Sequence, residues 1–120
     1  SCSKDDDDDN IHGKWTLVKD YLIDKDGEQY YVEEYEEGEK VYEFKKDGSV
    51  IFIDKDETEG GTESGTYTFK DGKLTITSKD EEDGETYTST SKVEFRGNLA
   101  IFTATEEEEG KYLVMELKKY

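Results

Sequence analysis

Three dipeptides that favour tight turns each separate two segments in which apolar and polar residues alternate: Asp47-Gly48, Asp71-Gly72 and Gly97-Asn98. Asp, Asn and Gly tolerate the positive φ angles that short β-hairpins require. Because alternation with a period of two places the apolar side chains of a strand on one face, each dipeptide predicts an antiparallel hairpin. The sequence contains no proline, and no segment of helical length carries an apolar stripe. The chain therefore predicts an all-β fold built from consecutive hairpins.

The apolar pattern itself supports one register for the hairpin at Asp71-Gly72. A two-residue turn pairs Phe69 with Leu74. The same turn pairs Tyr67 with Ile76, so every large apolar side chain of the hairpin lies on one face. Since a shift of one residue would invert the faces, the agreement between turn and pattern is informative.

The hairpin at Asp47-Gly48 leaves two registers open. A three-residue loop pairs Phe44 with Val50. A two-residue loop would instead turn Ile51 and Ile53 toward the buried face. The sequence does not choose between them.

The first strand and the long connection after it complete the predicted sheet. Trp15, Leu17, Tyr21 and Ile23 share one parity and are expected to share one face. Residues 25–40 predict either a short extra strand or a flap. An up-and-down antiparallel meander tends to close into a barrel, because closure removes exposed strand edges. We expect an eight-stranded barrel with strands at residues 14–24, 41–46, 49–54, 66–70, 73–78, 85–96, 99–105 and 111–119.

Composition limits the partners that this chain can have. Its 120 residues suffice for one modest core, with 31% hydrophobic and 41% charged residues and a net charge of −17. Nucleic-acid binding requires clustered Lys and Arg, so a nucleic-acid partner is excluded. No apolar run in the sequence approaches the roughly 20 residues of a transmembrane helix. The acidity is consistent with solubility and with attraction of a cationic partner.

The first ten residues have a composition of their own. Cys2, the only cysteine, follows a small residue and precedes Ser3, Lys4 and five aspartates. A small residue before a cysteine is typical of the site where a bacterial lipoprotein signal peptide is removed, and the cysteine is then acylated. A block of like charge favours disorder. We therefore expect residues 1–10 to be a disordered tether, residues 11–120 to be the domain, and membrane contact to occur only through a lipid on Cys2.

The triplet Gly13-Lys14-Trp15, at the start of the first predicted strand, resembles the G-x-W signature of lipocalins. The long connection at residues 25–40 falls where lipocalins carry a lid loop, and seven further strands follow. With the Cys2 leader, the chain is similar to the small lipocalin-like (calycin-type) lipoproteins of Bacteroidota. The resemblance covers residues 11–120 and implies a lipocalin-like barrel.

The resemblance also implies a packing contact and a location. In lipocalins a basic side chain near the last strand packs across the tryptophan, and Lys119 has the parity to do so against Trp15. This chain has no arginine there. Acidic residues directly after the cysteine resemble a signal for export of lipoproteins to the cell surface. We expect an outer-membrane lipoprotein exposed on the cell surface.

Catalytic and metal-binding patterns are absent from the sequence. His12 is the only histidine and has no neighbouring nucleophile. The D-x-D segments that begin at Asp24 and Asp54 place their glycines at the wrong positions for an EF-hand. No zinc, dinucleotide or phosphate-binding motif is present. We expect a protein that is not an enzyme and has no cofactor and no bound metal.

The sequence indicates where a ligand could bind inside the barrel. The strand at residues 85–96 turns two small side chains, Ser89 and Ser91, to the same face as large aromatic rings. The space beside them is filled either by opposing aromatic side chains, which close packing of interiors favours, or by a ligand. In the second case the walls are expected to be Tyr42, Phe44, Phe52, Tyr67, Phe69, Tyr87, Ser89 and Ser91.

Two functions are consistent with these features. The first is a monomeric, non-catalytic cell-envelope lipoprotein whose barrel binds a small hydrophobic or amphipathic ligand near the connection at residues 25–40. The alternative is an acidic barrel that binds or inhibits a cationic protein or peptide through its surface. Salt distinguishes them, because surface charge pairing weakens at physiological ionic strength and burial inside a barrel does not.

Overall fold

The computed structural model describes residues 11–55, 61–79 and 84–120. The predicted tether at residues 1–10, with Cys2, lies outside these residues. The described chain forms nine strands. They are β1 (Gly13–Asp24), β2 (Gln29–Glu34), β3 (Lys40–Phe44), β4 (Ser49–Asp54), β5 (Thr62–Lys70), β6 (Lys73–Lys79), β7 (Thr86–Arg96), β8 (Leu99–Ala104) and β9 (Lys111–Lys119).

Eight of these strands close a barrel. β3 to β9 pair in sequence order, each antiparallel to the next, and β1 pairs with both β3 and β9. The predicted eight-stranded up-and-down antiparallel barrel is therefore confirmed. Within the described residues no helix is long and apolar enough to cross a membrane.

The ninth strand, β2, lies within the connection at residues 25–40, where an extra strand was one of the two expectations. β2 and β3 pair with the same edge of β1, β2 along its second half and β3 along its first half. The excursion between them, residues 36–39, packs on the outside of β1, where the Gly38 amide donates a 2.9 Å hydrogen bond to the buried Thr16 hydroxyl. β2 and β3 thus behave as one interrupted strand, and β2 extends the wall at one end of the barrel.

The structure shows the registers of the hairpins at Asp71-Gly72 and Asp47-Gly48. Phe69 pairs with Leu74 and Tyr67 with Ile76, as the two-residue turn predicts. At the hairpin of Asp47-Gly48, Phe44 pairs with Val50, so the three-residue loop forms rather than the two-residue loop. In each case the register directs the large apolar side chains into the barrel.

The first strand contains a β-bulge that changes the predicted face of its second half. Opposite β9, Leu17 pairs with Leu117 but Lys19 pairs with Glu116, which leaves Val18 as an extra residue. An extra residue inverts the inward and outward parity beyond it. The expectation that Tyr21 and Ile23 share a face with Trp15 and Leu17 is therefore wrong.

Instead, Asp20 and Leu22 face inward, in register with Met115 and Leu113 on the inner face of β9. Tyr21 lies on the outer face, where its hydroxyl donates a 2.9 Å hydrogen bond to the Glu116 carboxylate. The bulge thus places a carboxylate inside the barrel, at the end opposite Trp15.

The apolar core fills one end of the barrel, where β1 begins. Its buried members come from seven strands and from Ile11 just before β1, so they close the barrel from several sides. They include Ile11, Trp15, Leu17, Phe44, Leu74, Ala100, Phe102 and Leu117. We call this end the base and the opposite end, which β2 borders, the mouth.

Candidate functional site

At the base, a cation packs on the indole ring of Trp15. The Lys119 ammonium nitrogen lies 4.5 Å from the ring centroid and donates a 2.5 Å hydrogen bond to the His12 carbonyl. The indole N–H donates a 2.9 Å hydrogen bond to the Ile11 carbonyl. The residues expected to meet at the barrel base, Trp15 and Lys119, are brought together.

Gly13 makes room for this lysine. Its φ angle is +113°, and a Cβ atom there would lie 3.0 Å from the Lys119 ammonium nitrogen. Glycine avoids both the conformational cost and the contact. Partial burial lowers the pKa of Lys119, a cost that the cation–π contact and the hydrogen bond offset. The geometry gives the G-x-W triplet a structural role at the base.

The upper half of the barrel contains a cavity of about 220 Å³, which we call the mouth cavity. Its walls come from all the strands between β3 and β9, and most of its side chains are apolar or small. They are Tyr42, Val50, Phe52, Glu63, Ser64, Gly65, Leu74, Ile76, Ser78, Ser89, Ser91, Phe102 and Met115. An apolar cavity of roughly 150 Å³ admits benzene, so the mouth cavity has room for one aromatic ring or a short alkyl chain.

Four of the eight residues expected to form a ligand site line this cavity, namely Tyr42, Phe52, Ser89 and Ser91. The two serines leave space between the rings opposite, as the small side chains indicated.

The other four expected residues do not line the mouth cavity. Phe44, Tyr67 and Phe69 belong to the packed layer below it, where edge-to-face contacts join Phe44 to Tyr67 at 5.1 Å between ring centroids. Tyr87 is 49% exposed because β7 extends beyond the packed part of the interior. Position along the strand, which parity does not report, separates these residues from the cavity.

Several lining residues were missed by sequence reasoning. Phe102 and Met115 line the side opposite Ile76, and they pair with each other across β8 and β9. The inward parity of Met115 was visible in the sequence, but its height in the barrel depends on the register between distant strands. Glu63 was missed because β5 begins at Thr62, four residues before the predicted start.

Gly65 shapes the cavity wall by allowing close approach of two strands. A Cβ atom there would collide with the Thr77 carbonyl oxygen and lie 3.2 Å from the Ser78 Cα atom. Glycine within a strand often marks such an approach or a bend at a barrel corner. The absence of a side chain at this inward position also leaves space beside Phe52 and Ile76.

A small polar group lies on the inner face of the β1–β2 wall. The Tyr35 hydroxyl lies 3.1 Å from an Asp20 carboxylate oxygen and 3.0 Å from a Glu33 carboxylate oxygen. Burial raises the pKa of Asp20, the hydrogen bond from Tyr35 lowers it, the Glu33 charge raises it and Lys40 lowers it. Because a hydroxyl carries one proton, it cannot donate fully to both carboxylates at once.

Tyr42 connects this polar group to the mouth cavity. Burial raises the pKa of Tyr42 to about 12, with further contributions from the charges of Asp20 and Glu63. Its ring lies 4.7 Å from the Phe52 ring between centroids, and its hydroxyl is 3.8 Å from the Met115 sulfur. The charges of two carboxylates therefore act on a hydroxyl whose ring belongs to an aromatic pair.

A second cavity of about 240 Å³ lies nearer the rim, and Ser89 lines both cavities. Its remaining walls are Leu22, Thr88, Thr90, Ala104, Glu106, Glu108, Lys111 and Leu113. Among residues 11–55, 61–79 and 84–120, no group of three or more His, Cys, Asp or Glu side chains is arranged to hold a metal ion. Of these two cavities, the mouth cavity has mostly apolar walls with few polar groups, an arrangement that suits binding of a small molecule.

Comparison with known proteins places this barrel in a family. The model of the lipocalin-like domain matches residues 11–118. The crystal structure of a lipocalin-like protein from Bacteroides uniformis ATCC 8492 superposes with a TM-score of 0.60, at 23% identity over 92% of this chain and 99% of that chain. An uncharacterized protein from Bacteroides eggerthii DSM 20697 gives a TM-score of 0.52, at 21% identity over the same shares. No significant match is found among curated proteins.

The two crystal structures share the fold, and the lipocalin-like fold is generally a binding fold rather than a catalytic one. Since the family match covers residues 11–118, which include all eight barrel strands except the last residue of β9, this chain belongs to the lipocalin-like domain family.

Proposed function

We propose that this protein is a monomeric, surface-exposed lipoprotein of the cell envelope that binds a small amphipathic molecule in its mouth cavity, without catalysis. The observation that carries the proposal is the division of the barrel interior. The base is closely packed, whereas the upper half keeps a cavity of about 220 Å³ with apolar walls. Interiors of proteins close-pack to a density that leaves few such voids, so a cavity that opens at the mouth favours a ligand.

The sparse polar groups at the mouth support an amphipathic ligand rather than a purely apolar one. Ser89 and Glu63 are exposed at the upper wall, while Phe102 and Leu74 at the lower wall are buried. A ligand that enters the mouth cavity would place its apolar part against the buried rings and its polar part near the opening.

Filling the cavity tests the proposal. Ser91→Leu adds a side chain to the cavity wall and should abolish binding of 2-phenylethanol, a neutral probe with one ring and a short polar chain. Thr86→Leu, on the exposed outer face of the same strand, adds a comparable side chain outside the cavity and should leave binding unchanged. Binding is measured by calorimetric titration, and a melting curve of each variant shows whether the fold is kept.

The space beside Ser89 and Ser91 is either a ligand site or part of a packed interior, and Ser91→Leu should give different results in the two cases. If the space is a ligand site, Ser91→Leu removes binding with little effect on stability. If the serine completes a packed interior, the same change should overpack it and cost about 1–3 kcal/mol of stability. Destabilisation by Ser91→Leu, together with no binding of 2-phenylethanol by the parent protein, would refute the proposed ligand site.

Attachment through Cys2 is the second part of the proposal. It is supported by the small residue before Cys2 and by the acidic segment after it. A single acyl chain gives marginal membrane binding, so stable anchoring needs the multiple acylation of a bacterial lipoprotein. When the chain is expressed behind a lipoprotein signal peptide in a bacterium, it should fractionate with membranes, and Cys2→Ala should release it. An alanine variant that stays with the membranes would exclude the lipid anchor.

A further inference from the structure

One carboxylate lines the mouth cavity, and a second one is paired with a lining residue. Glu63 lines the cavity and pairs with Phe52 on the inner face of the barrel. Asp20, which the bulge at Val18 turns inward, pairs with Met115, another lining residue. The charges of both carboxylates raise the pKa of Tyr42, whose side chain lines the cavity.

Lys40, the lysine whose charge acts on Asp20, already forms an ion pair with another carboxylate. The Lys40 ammonium nitrogen lies 2.6 Å from an Asp54 carboxylate oxygen and 5.3 Å from the centroid of the Tyr35 ring. Asp20 accepts a hydrogen bond from the Tyr35 hydroxyl, which it shares with Glu33, and the charge of Lys40 also acts on Asp20. Because Asp20 and Glu33 share the single proton of this hydroxyl, negative charge remains beside the cavity, and a bound cation would neutralise it.

The aromatic wall of the cavity offers a second attraction for a cation. The rings of Tyr42 and Phe52 lie 4.7 Å apart between centroids, at an angle of 43°. An ammonium group within about 6 Å of an aromatic face is attracted by the ring quadrupole, more strongly where water is excluded. The Tyr42 oxygen can also accept a hydrogen bond from such a group.

We propose that the molecule bound in the mouth cavity is a small cationic amphiphile, an aryl or short alkyl ammonium whose apolar part lies on Phe102 and Leu74 and whose positive charge lies between Glu63 and Asp20. This inference rests on the proposed function, because it assigns a charge to the ligand of the same cavity. It also excludes a class of ligand. A carboxylate of the same size would bring like charge toward Glu63 and Asp20 and should be rejected.

Three probes that differ in charge test the proposal. 2-Phenylethylamine, 2-phenylethanol and 3-phenylpropanoate share a ring and a short chain but are positive, neutral and negative at pH 7. The parent protein should bind the amine most tightly and the carboxylate most weakly, with a difference of roughly tenfold or more between these two. Affinities are measured by calorimetric titration in low salt and at physiological ionic strength.

Matched variants separate the cavity charge from the general acidity of the protein. Glu63→Gln and Asp20→Asn should each lower the ratio of amine affinity to alcohol affinity, by roughly threefold or more. Glu43→Gln removes the same charge from the outer face of β3 and should keep the ratio of the parent. An equal loss in all three variants would show that the overall charge of −17 attracts the amine, and would overturn the inference.

The outcomes distinguish this inference from the proposed function. If the parent binds all three probes with similar affinity and Ser91→Leu abolishes that binding, the cavity is a ligand site and the cationic preference is wrong. If the parent binds none of the probes, both the proposed function and the inference fail. Preference for the carboxylate would overturn the inference alone.

Discussion

The Lys119 ammonium nitrogen lies 4.5 Å from the centroid of the Trp15 ring, and the two residues are paired directly across β1 and β9. This pair joins the first and last barrel strands at the base. The Lys119 ammonium also donates to the His12 carbonyl, which fixes the chain just before β1. Lys119 therefore contacts both the first barrel strand, through Trp15, and the segment just before that strand, through His12.

Removal of the charge at this contact should weaken the barrel. Lys119→Met keeps an unbranched chain but loses the cation–π contact and the charged hydrogen bond. We expect a loss of about 1–3 kcal/mol in the free energy of unfolding, measured by urea denaturation.

The neighbouring lysine provides the control for this prediction. Lys118 points outward and forms a 3.5 Å ion pair with the exposed Glu37 carboxylate. Exposed pairs contribute about 0–1 kcal/mol, so Lys118→Met should cost clearly less than Lys119→Met. Equal losses would mean that the position of Lys119 over Trp15 has no special effect.

The indole ring should dominate the stability of the base. Trp15 is only 3% exposed and packs 6.0 Å from the Phe95 ring between centroids. Trp15→Ala should cost about 3–5 kcal/mol, as for truncation of a large buried aromatic residue, and Trp15→Phe should cost less. Because Trp15 is the only tryptophan, its emission spectrum reports the base directly. A spectrum typical of a solvent-exposed indole in the folded protein would contradict the barrel base described above.

The approach of β5 to β6 should depend on the absence of a side chain at Gly65. Gly65→Ala would force a methyl group against the Thr77 carbonyl, and we expect destabilisation of about 1–3 kcal/mol in thermal melts. Ser64→Ala, at the adjacent exposed position, should change stability little. A neutral effect of Gly65→Ala would show that the strands can separate without cost.

The inward carboxylate of Asp20 should by itself contribute less to stability at neutral pH than at mildly acidic pH. Its pKa is raised above the ordinary 3.8 by burial and by Glu33, against the opposing effects of the Tyr35 hydroxyl and Lys40. Between the ordinary and the raised pKa the folded state binds more protons than the unfolded state, so this contribution to stability falls as pH rises. Asp20→Asn should therefore raise the melting temperature at pH 7, by less than the roughly 4 °C that corresponds to 1 kcal/mol.

The gain from Asp20→Asn should vanish near pH 3, where Asp20 is protonated in both states. Asp47→Asn provides a control of opposite sign. The hydroxyl and amide of Ser49 donate to the Asp47 carboxylate and lower its pKa. Its contribution to stability is thus present at pH 7 and lost on acidification, and Asp47→Asn should lower the melting temperature slightly at pH 7. A destabilising effect of Asp20→Asn at pH 7 would contradict the assignment of Asp20 as a desolvated carboxylate.

The sequence predicted the hairpins well because their registers depend on local turn chemistry and on a period of two. The pairing of Phe69 with Leu74 follows from Asp71-Gly72 alone, and it forms as expected. The bulge at Val18 could not be predicted in this way, because it appears only in the pairing of β1 with β9, nearly one hundred residues later. The inward position of Asp20 therefore became visible only in the structure.

The sequence predicted only part of the cavity lining, because it shows which face of a strand a side chain occupies but not its position along the barrel. Parity correctly gave the inner face of β7, which carries Ser89 and Ser91. Parity does not give the height of a side chain in the barrel, which the shear between strands sets. Phe44 and Phe69 consequently lie in the packed base, while Met115 and Glu63 line the mouth cavity.

Two residues that occur once in the chain allow the central claim to be measured directly. Met115, the only methionine, lines the mouth cavity, and Trp15, the only tryptophan, lies in the base. In protein labelled with ¹³C at the methionine methyl group and ¹⁵N at the indole, each residue gives one NMR signal. Titration with 2-phenylethanol then compares the two ends of the barrel in one experiment.

If the mouth cavity is a ligand site, the Met115 methyl resonance should shift saturably while the Trp15 indole resonance stays in place. The shift should disappear in Ser91→Leu and persist in Thr86→Leu. A Met115 resonance that does not move with any concentration of the probe, or that moves equally in the parent and in Ser91→Leu, would contradict the claim that this barrel binds a small molecule at its mouth.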